Sequence, residues 1–128
     1  MPRRLSLARR ALLAALVLAL SGAVAGPASA HAIVVTSEPT AGASLAAAPP
    51  QVTIRFNSRL DHARSRLLLI GADNAQTTLP IAEGGDPVAL TAPLPATLAP
   101  GEWRLRWQVL AIDGHITRGD IPFTVKAP

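Results

Sequence analysis

Residues 101–125 read GEWRLRWQVLAIDGHITRGDIPFTV, and this stretch decides the fold. Apolar residues occupy every second position in the segment before the central Asp-Gly, and again towards the end of the segment after it. A period of two is typical of a β-strand with one buried face and one solvated face. Asp-Gly between two such strands is a hairpin turn signal. The stretch therefore predicts two half-buried strands joined by a turn.

The same alternation occurs earlier in the chain and predicts an all-β domain. Residues 51–56 form the clearest further strand, and weaker candidates cover the ranges 33–36, 66–70, 77–81 and 88–91. Ten of the twelve prolines follow residue 30, which disfavours long helices and leaves only short helical turns at 44–48 and 61–64. About seven short strands separated by proline and glycine turns predict a single Greek-key, immunoglobulin-like β-sandwich.

The first thirty residues have the pattern of a secretory signal peptide. Four arginines precede an unbroken run of Ala, Leu and Val over residues 11–20, and Ala28-Ser29-Ala30 supplies a small-x-small cleavage site. The apolar run is too short to span a bilayer comfortably, so a retained anchor is the weaker interpretation. We expect export to the periplasm with cleavage after Ala30, by the general or the twin-arginine route, leaving one domain over residues 31–128.

Removal of the signal peptide changes the charge balance. The whole chain has 12 Lys and Arg against 8 Asp and Glu, but four of the arginines lie in residues 1–30. Residues 31–128 therefore have no net charge, which excludes a nucleic-acid binder and a polybasic membrane-surface protein. The absence of cysteine excludes structural disulfides and thiolate catalysis. The mature domain is expected neither to bind nucleic acid nor to insert into a membrane.

The histidines suggest a metal site. Cleavage after Ala30 makes His31 the N-terminal residue, which offers an α-amine and an imidazole to one ion. Asp113 and His115 flank Gly114 in the predicted turn, and their i, i+2 spacing lets both side chains emerge on one side. Three nitrogens and one oxygen form a set suited to tetragonal Cu(II). His62 lies in a polar, arginine-rich stretch and is more typical of a solvated surface histidine.

Two simpler interpretations of the same residues remain open. Asp113-Gly114 is first of all a turn signal, and a terminal histidine is often frayed and without function. Under that interpretation the domain binds no metal.

Residues 31–128 resemble the CopC-type periplasmic copper-resistance proteins. The resemblance is carried by His31-Ala32 at the predicted mature terminus, by Asp113-Gly114-His115, and by several less specific motifs, namely Ser37-Glu38-Pro39, Gly42-Ala43, Ala48-Pro49 and the alternating segments of residues 52–56, 100–109 and 119–125. It implies a cupredoxin-like sandwich with one Cu(II) bound by the amine and imidazole of His31, by Asp113 and by His115. It also implies a carrier or buffer that sequesters copper or passes it to a CopD-like inner-membrane transporter.

The chain departs from the family pattern at two points. Some members have a methionine-rich loop that binds Cu(I), whereas here the only methionine is Met1. Some members also have an acidic residue shortly after the phenylalanine that corresponds to Phe56. Here Asn57 and Ser58 follow Phe56. We therefore expect copper to bind only in the Cu(II) site, without an extra carboxylate from that position.

A second class of function is a copper-dependent redox enzyme. An N-terminal histidine paired with another histidine also forms the copper brace of lytic polysaccharide monooxygenases. An aspartate in the coordination plane leaves no open position for oxygen, and the chain has no tyrosine to stack on a sugar. The sequence therefore favours a binding protein that is not an enzyme, with the redox enzyme and a metal-free interaction module as alternatives.

Overall fold

The computed structural model describes residues 7–12, 15 and 31–128. Residues 7–12 are helical, and most of the predicted signal peptide, including its cleavage site, lies outside the described residues. No helix in the described ranges is long and apolar enough to cross a membrane.

Eight strands form two sheets that enclose one core. Their bounds are β1 Val34–Glu38, β2 Ala43–Leu45, β3 Gln51–Phe56, β4 Leu60–Gly71, β5 Gln76–Thr78, β6 Ala89–Pro93, β7 Gly101–Ala111 and β8 Ile116–Val125. The strand orders are β1-β3-β6 in one sheet and β2-β8-β7-β4-β5 in the other. The chain crosses between the sheets at every connection except β4–β5 and β7–β8. The predicted all-β sandwich is confirmed, with eight strands instead of about seven.

The predicted hairpin forms the centre of the larger sheet. Strands β7 and β8 pair antiparallel from Gly101 and Val125 to Leu110 and Ile116, so the turn between them covers residues 112–115. The apolar side chains of both strands are buried against those of β3 and β6 from the other sheet. Because apolar burial is the main favourable term in folding, this alternation sets which face of each strand points inward.

Gly119 and Trp107 show how closely the core is packed. The two residues are cross-strand partners, and a Cβ on Gly119 would lie 2.7 Å from Cε2 of the Trp107 indole. On its other side the indole packs edge-on against Phe56 of β3, with ring centroids 5.0 Å apart. Because Gly119 has no side chain, there is space for the Trp107 indole to pack between the two sheets.

Both predicted helical turns are wrong. In the range 44–48, the chain instead forms β2, which pairs in parallel with the end of β8 because Leu45 packs on the core. In the range 61–64, β4 continues through a bulge that separates its pairings with β7. The bulge is held by polar groups, since Asp61 accepts the backbone N–H of Arg64 at 3.2 Å and its carbonyl accepts the Ser65 hydroxyl at 2.7 Å.

Candidate metal centre

The fold brings the three predicted ligand residues to one end of the sandwich. His31 precedes β1 of the smaller sheet, whereas Asp113 and His115 lie in the turn between β7 and β8 of the larger sheet. The imidazole rings of His31 and His115 are 5.5 Å apart between centroids, at an interplanar angle of 71°. We call this region, residues 31–35, 57–59 and 112–116, the site end.

The turn between β7 and β8 has a compact, hydrogen-bonded backbone, and its polar side chains project from it. The N–H of Ala111 donates to the carbonyl of His115, and the N–H of Gly114 donates to the carbonyl of Ala111, both at 2.9 Å. Gly114 has a φ of +90°, which glycine adopts without steric cost. The turn prediction for Asp-Gly is confirmed, and the turn also leaves Asp113 and His115 facing each other.

Contacts with His115 favour the charged, carboxylate form of Asp113. Its side chain accepts the backbone N–H of His115 at 3.1 Å, and its second oxygen lies 3.1 Å from Nδ1 of the same residue. The backbone hydrogen bond from His115, and then the imidazole contact, hold the pKa of Asp113 below its usual 3.8. An anionic oxygen and an imidazole nitrogen are therefore within reach of one ion.

Residues 31–33, which we call the N-terminal arm, are attached to the end of β3 by Asn57. The N–H of Ile33 donates to Oδ1 of Asn57 at 2.8 Å, and the N–H of Asn57 donates to the carbonyl of Ile33 at 3.1 Å. Ala32 is buried in the core directly after His31. In the sequence, Asn57 stands out only because it replaces an acidic residue, and its place directly after a strand is the one signal for this role.

The loop that contains Asn57 also contacts the turn. The N–H of Ile112 donates to the carbonyl of Arg59 at 3.0 Å, next to Asp113. Residues 57–59 therefore connect both halves of the site end through backbone hydrogen bonds.

His62 has a different environment from the one predicted. It is half-buried in β4, and its Nε2 donates to the carbonyl of Ala89 in β6 at 2.8 Å. The prediction of a solvated surface histidine is wrong, because the fold places a backbone acceptor from a strand 27 residues away beside the ring. This hydrogen bond gives His62 a structural role.

In the described residues, the possible metal ligands approach one another in pairs and do not form a complete cluster. In residues 7–12, 15 and 31–128, no three His, Asp or Glu side chains converge closely enough to hold an ion. The contacts are pairwise, from His31 to His115 and from His115 to Asp113. In the full-length chain the nitrogen of His31 is a peptide amide bonded to Ala30, so a terminal amine would exist only after cleavage there.

Comparison with known proteins shows similarity over the whole sandwich. The profile of the CopC domain family matches residues 34–126. Protein YobA of Escherichia coli (strain K12) is 34% identical over 99 residues, which cover 76% of this chain and 80% of YobA. The copper transport protein CutJ of Bacillus subtilis (strain 168) is 29% identical over 98 residues, which cover 75% of this chain and 18% of CutJ. The crystal structure of CopC from Methylosinus trichosporium OB3b superposes with a TM-score of 0.69 at 30% identity, over 75% of this chain and 94% of that chain.

Proposed function

Because the chain belongs to the CopC family, we propose that it is a copper-binding protein that carries or buffers one Cu(II) per chain. The observation that best supports this proposal is the distance of 5.5 Å between the ring centroids of His31 and His115, which lie on segments adjoining opposite sheets. Both rings are exposed, so packing in the core does not explain why they lie close together.

We assign the amine and imidazole of His31, the carboxylate of Asp113 and the imidazole of His115 as the ligands. Three nitrogens and one oxygen match the preference of Cu(II) for tetragonal nitrogen and oxygen sites. The position of Asp113 supports this set, since its carboxylate oxygen lies 3.1 Å from Nδ1 of His115. Residues 31–128 contain no methionine, so the domain has no thioether site for Cu(I).

The proposed activity is binding, without catalysis. With Asp113 as a ligand, the coordination plane is filled and oxygen has no equatorial position to enter. The histidine-brace redox enzyme remains the alternative, favoured by the same His31–His115 pair.

We place the mature protein in the periplasm, after cleavage of the signal peptide following Ala30. Its partner is a copper-transporting membrane protein of the CopD-like kind. This part of the proposal is supported by CutJ, a copper transport protein in which the similar region makes up only 18% of the length. A domain of this type thus occurs joined to a larger copper transport protein.

The test is a titration of residues 31–128, carrying a native His31 terminus, with Cu(II) under paramagnetic resonance detection. We expect one tight equivalent with a tetragonal, nitrogen-rich spectrum. The matched control begins at Ala30, which converts the amine of His31 to an amide and should weaken binding by orders of magnitude. No stoichiometric binding would contradict the proposal, and ascorbate-dependent oxygen consumption by the loaded protein would favour the redox enzyme.

A further inference from the structure

The exposed large apolar side chains of residues 31–128 are all at the site end. They are Ile33, Val35, Ile112 and Ile116, with exposed fractions of 61%, 62%, 72% and 53%. Ile33 follows His31 by two residues, Ile112 directly precedes Asp113, and Ile116 directly follows His115. These three isoleucines therefore lie within two residues of a proposed ligand along the chain. We call them the apolar rim, with Val35 at its outer edge.

Burial in the core does not account for the rim, because each of its side chains is more than half exposed. Ile112 is a turn residue, where β-propensity gives no reason for isoleucine and polar residues are usual. Ile116 points outward from β8, and its cross-strand partner is the half-buried Leu110. Further along the same outward face the cross-strand pairs are polar.

These polar pairs show that the apolar surface is confined to the site end. Arg118 donates to Gln108 at 2.7 Å, and Arg106 makes a two-point contact with Asp120 at 2.9 and 3.0 Å. Exposed apolar side chains that are grouped at one end of a domain, rather than scattered singly, favour an interaction surface there.

We infer that the apolar rim is the docking surface for the membrane copper transporter, and that copper passes through it. This inference rests on the proposed function, because it assigns the partner of the same site. Contact around the ligands would exclude water while the ion moves from His31, Asp113 and His115 to ligands of the partner. The partner surface that fits is apolar and carries copper-binding side chains at its centre.

The size of the rim argues against a second copy of this chain as the occupant. Three or four aliphatic side chains expose only a few hundred Å², whereas a stable dimer buries about 800 Å² on each partner. A symmetric dimer through this surface would also close both copper sites against each other. A brief contact with a transporter needs only the smaller area.

The test is site-specific photocrosslinking of the full-length chain in the native bacterium, with a benzoylphenylalanine at position 112 or 116. The matched control position is 73, an exposed residue in the β4–β5 turn. We expect positions 112 and 116, and not 73, to cross-link to an integral membrane protein that contains copper-ligating residues. A cross-link to a second copy, to a soluble protein or to nothing would overturn the inference.

A variant separates failure of docking from failure of copper binding. In this variant, Ile112→Ser with Ile116→Ser, benzoylphenylalanine is placed at position 33 instead. The Cu(II) affinity should stay within about twofold, and the cross-link from position 33 to the membrane protein should fall at least tenfold. Ile112→Leu with Ile116→Leu, which keeps the rim apolar, should leave both unchanged. If the serine variant cross-links as the parent does, the docking inference is wrong although copper binding stands. If the parent binds no Cu(II), the proposed function is wrong instead.

Discussion

At the scale of single residues, Asn57 determines how well His31 is positioned. Its side-chain oxygen accepts the N–H of Ile33 at 2.8 Å, two residues from the proposed ligand. A neutral hydrogen bond contributes about 1 kcal/mol, so Asn57→Ala should weaken Cu(II) binding about fivefold. The matched control is Ser58→Ala, because within the described part of the chain the Ser58 hydroxyl donates only to the carbonyl of Arg59, at 3.3 Å. Equal affinities for the two variants in a competition titration would show that Asn57 does not hold the arm.

The two histidines of residues 32–128 provide a paired test of the ligand assignment. His115→Ala should lower Cu(II) affinity by orders of magnitude, because it removes one of two imidazoles that the fold brings together. His62→Ala should change the affinity little, since its ring is bound to Ala89. Isothermal titration of both variants decides the assignment, and a comparable loss for His62→Ala would contradict it.

The pH dependence of copper binding is expected to come from protonation of the nitrogen ligands, with Asp113 already charged. The backbone hydrogen bond and then the imidazole contact of His115 lower the pKa of Asp113, so its carboxylate remains charged at neutral and mildly acidic pH. A free imidazole takes up a proton near pH ~6.5 and a free terminal amine near pH ~8. Affinity should therefore fall steeply below about pH 6 through competition at nitrogen, and the dissociation constant measured from pH 8 to pH 4 checks this. A constant affinity over that range would contradict the nitrogen ligands.

At the scale of elements, the glycine in β8 is required for the packing of β7. A methyl group at Gly119 would meet the Trp107 indole, which is buried between the sheets. Overpacking of a core costs about 1–3 kcal/mol, so Gly119→Ala should lower the free energy of unfolding by that amount in urea denaturation. Gly85→Ala is the control, because a Cβ there has no neighbour within 4 Å. Equal stability of the two variants would mean that the indole moves aside at no cost.

The strands that could be predicted are those with their own periodic pattern. Strands β3, β7 and β8 alternate between apolar and polar residues, and the structure buries their apolar positions as expected. Strand β2 has no such pattern in its Ala-rich sequence, and it forms by pairing with β8, about 80 residues later. The bulge in β4 was missed for a similar reason, since Ser65 within it accepts the N–H of Leu110 at 3.2 Å.

The same distinction applies to the candidate site. His31 and Asp113-Gly114-His115 were recognised because a terminal histidine and a D-x-H turn are local motifs. Asn57 and His62 form hydrogen bonds with backbone groups of distant segments, and no local sequence pattern predicts such contacts. The proposed ligands could therefore be predicted from local motifs, whereas the role of Asn57 in holding the N-terminal arm is visible only in the structure.

At the scale of the whole molecule, the proposed ion would connect the two sheets. His31 belongs to the arm that leads into the smaller sheet, and Asp113 and His115 belong to the larger one. A ligand that binds only the folded state stabilises it by about 2.7 kcal/mol when free ligand is at about 100 times its dissociation constant. For a domain of this size, 1 kcal/mol corresponds to about 4–8 °C in melting temperature. Copper at that excess should therefore raise the Tm of residues 31–128 by about 10 °C or more.

The His115→Ala variant distinguishes this specific stabilisation from general effects of the metal. It keeps the sandwich, because His115 lies in an exposed turn outside the core, but it loses a ligand from the larger sheet. Differential scanning calorimetry with and without Cu(II) should show the rise for the parent and none for the variant. An equal rise in both would place the ion elsewhere on the domain. A rise in neither would mean that core packing holds the two sheets together without help from a metal.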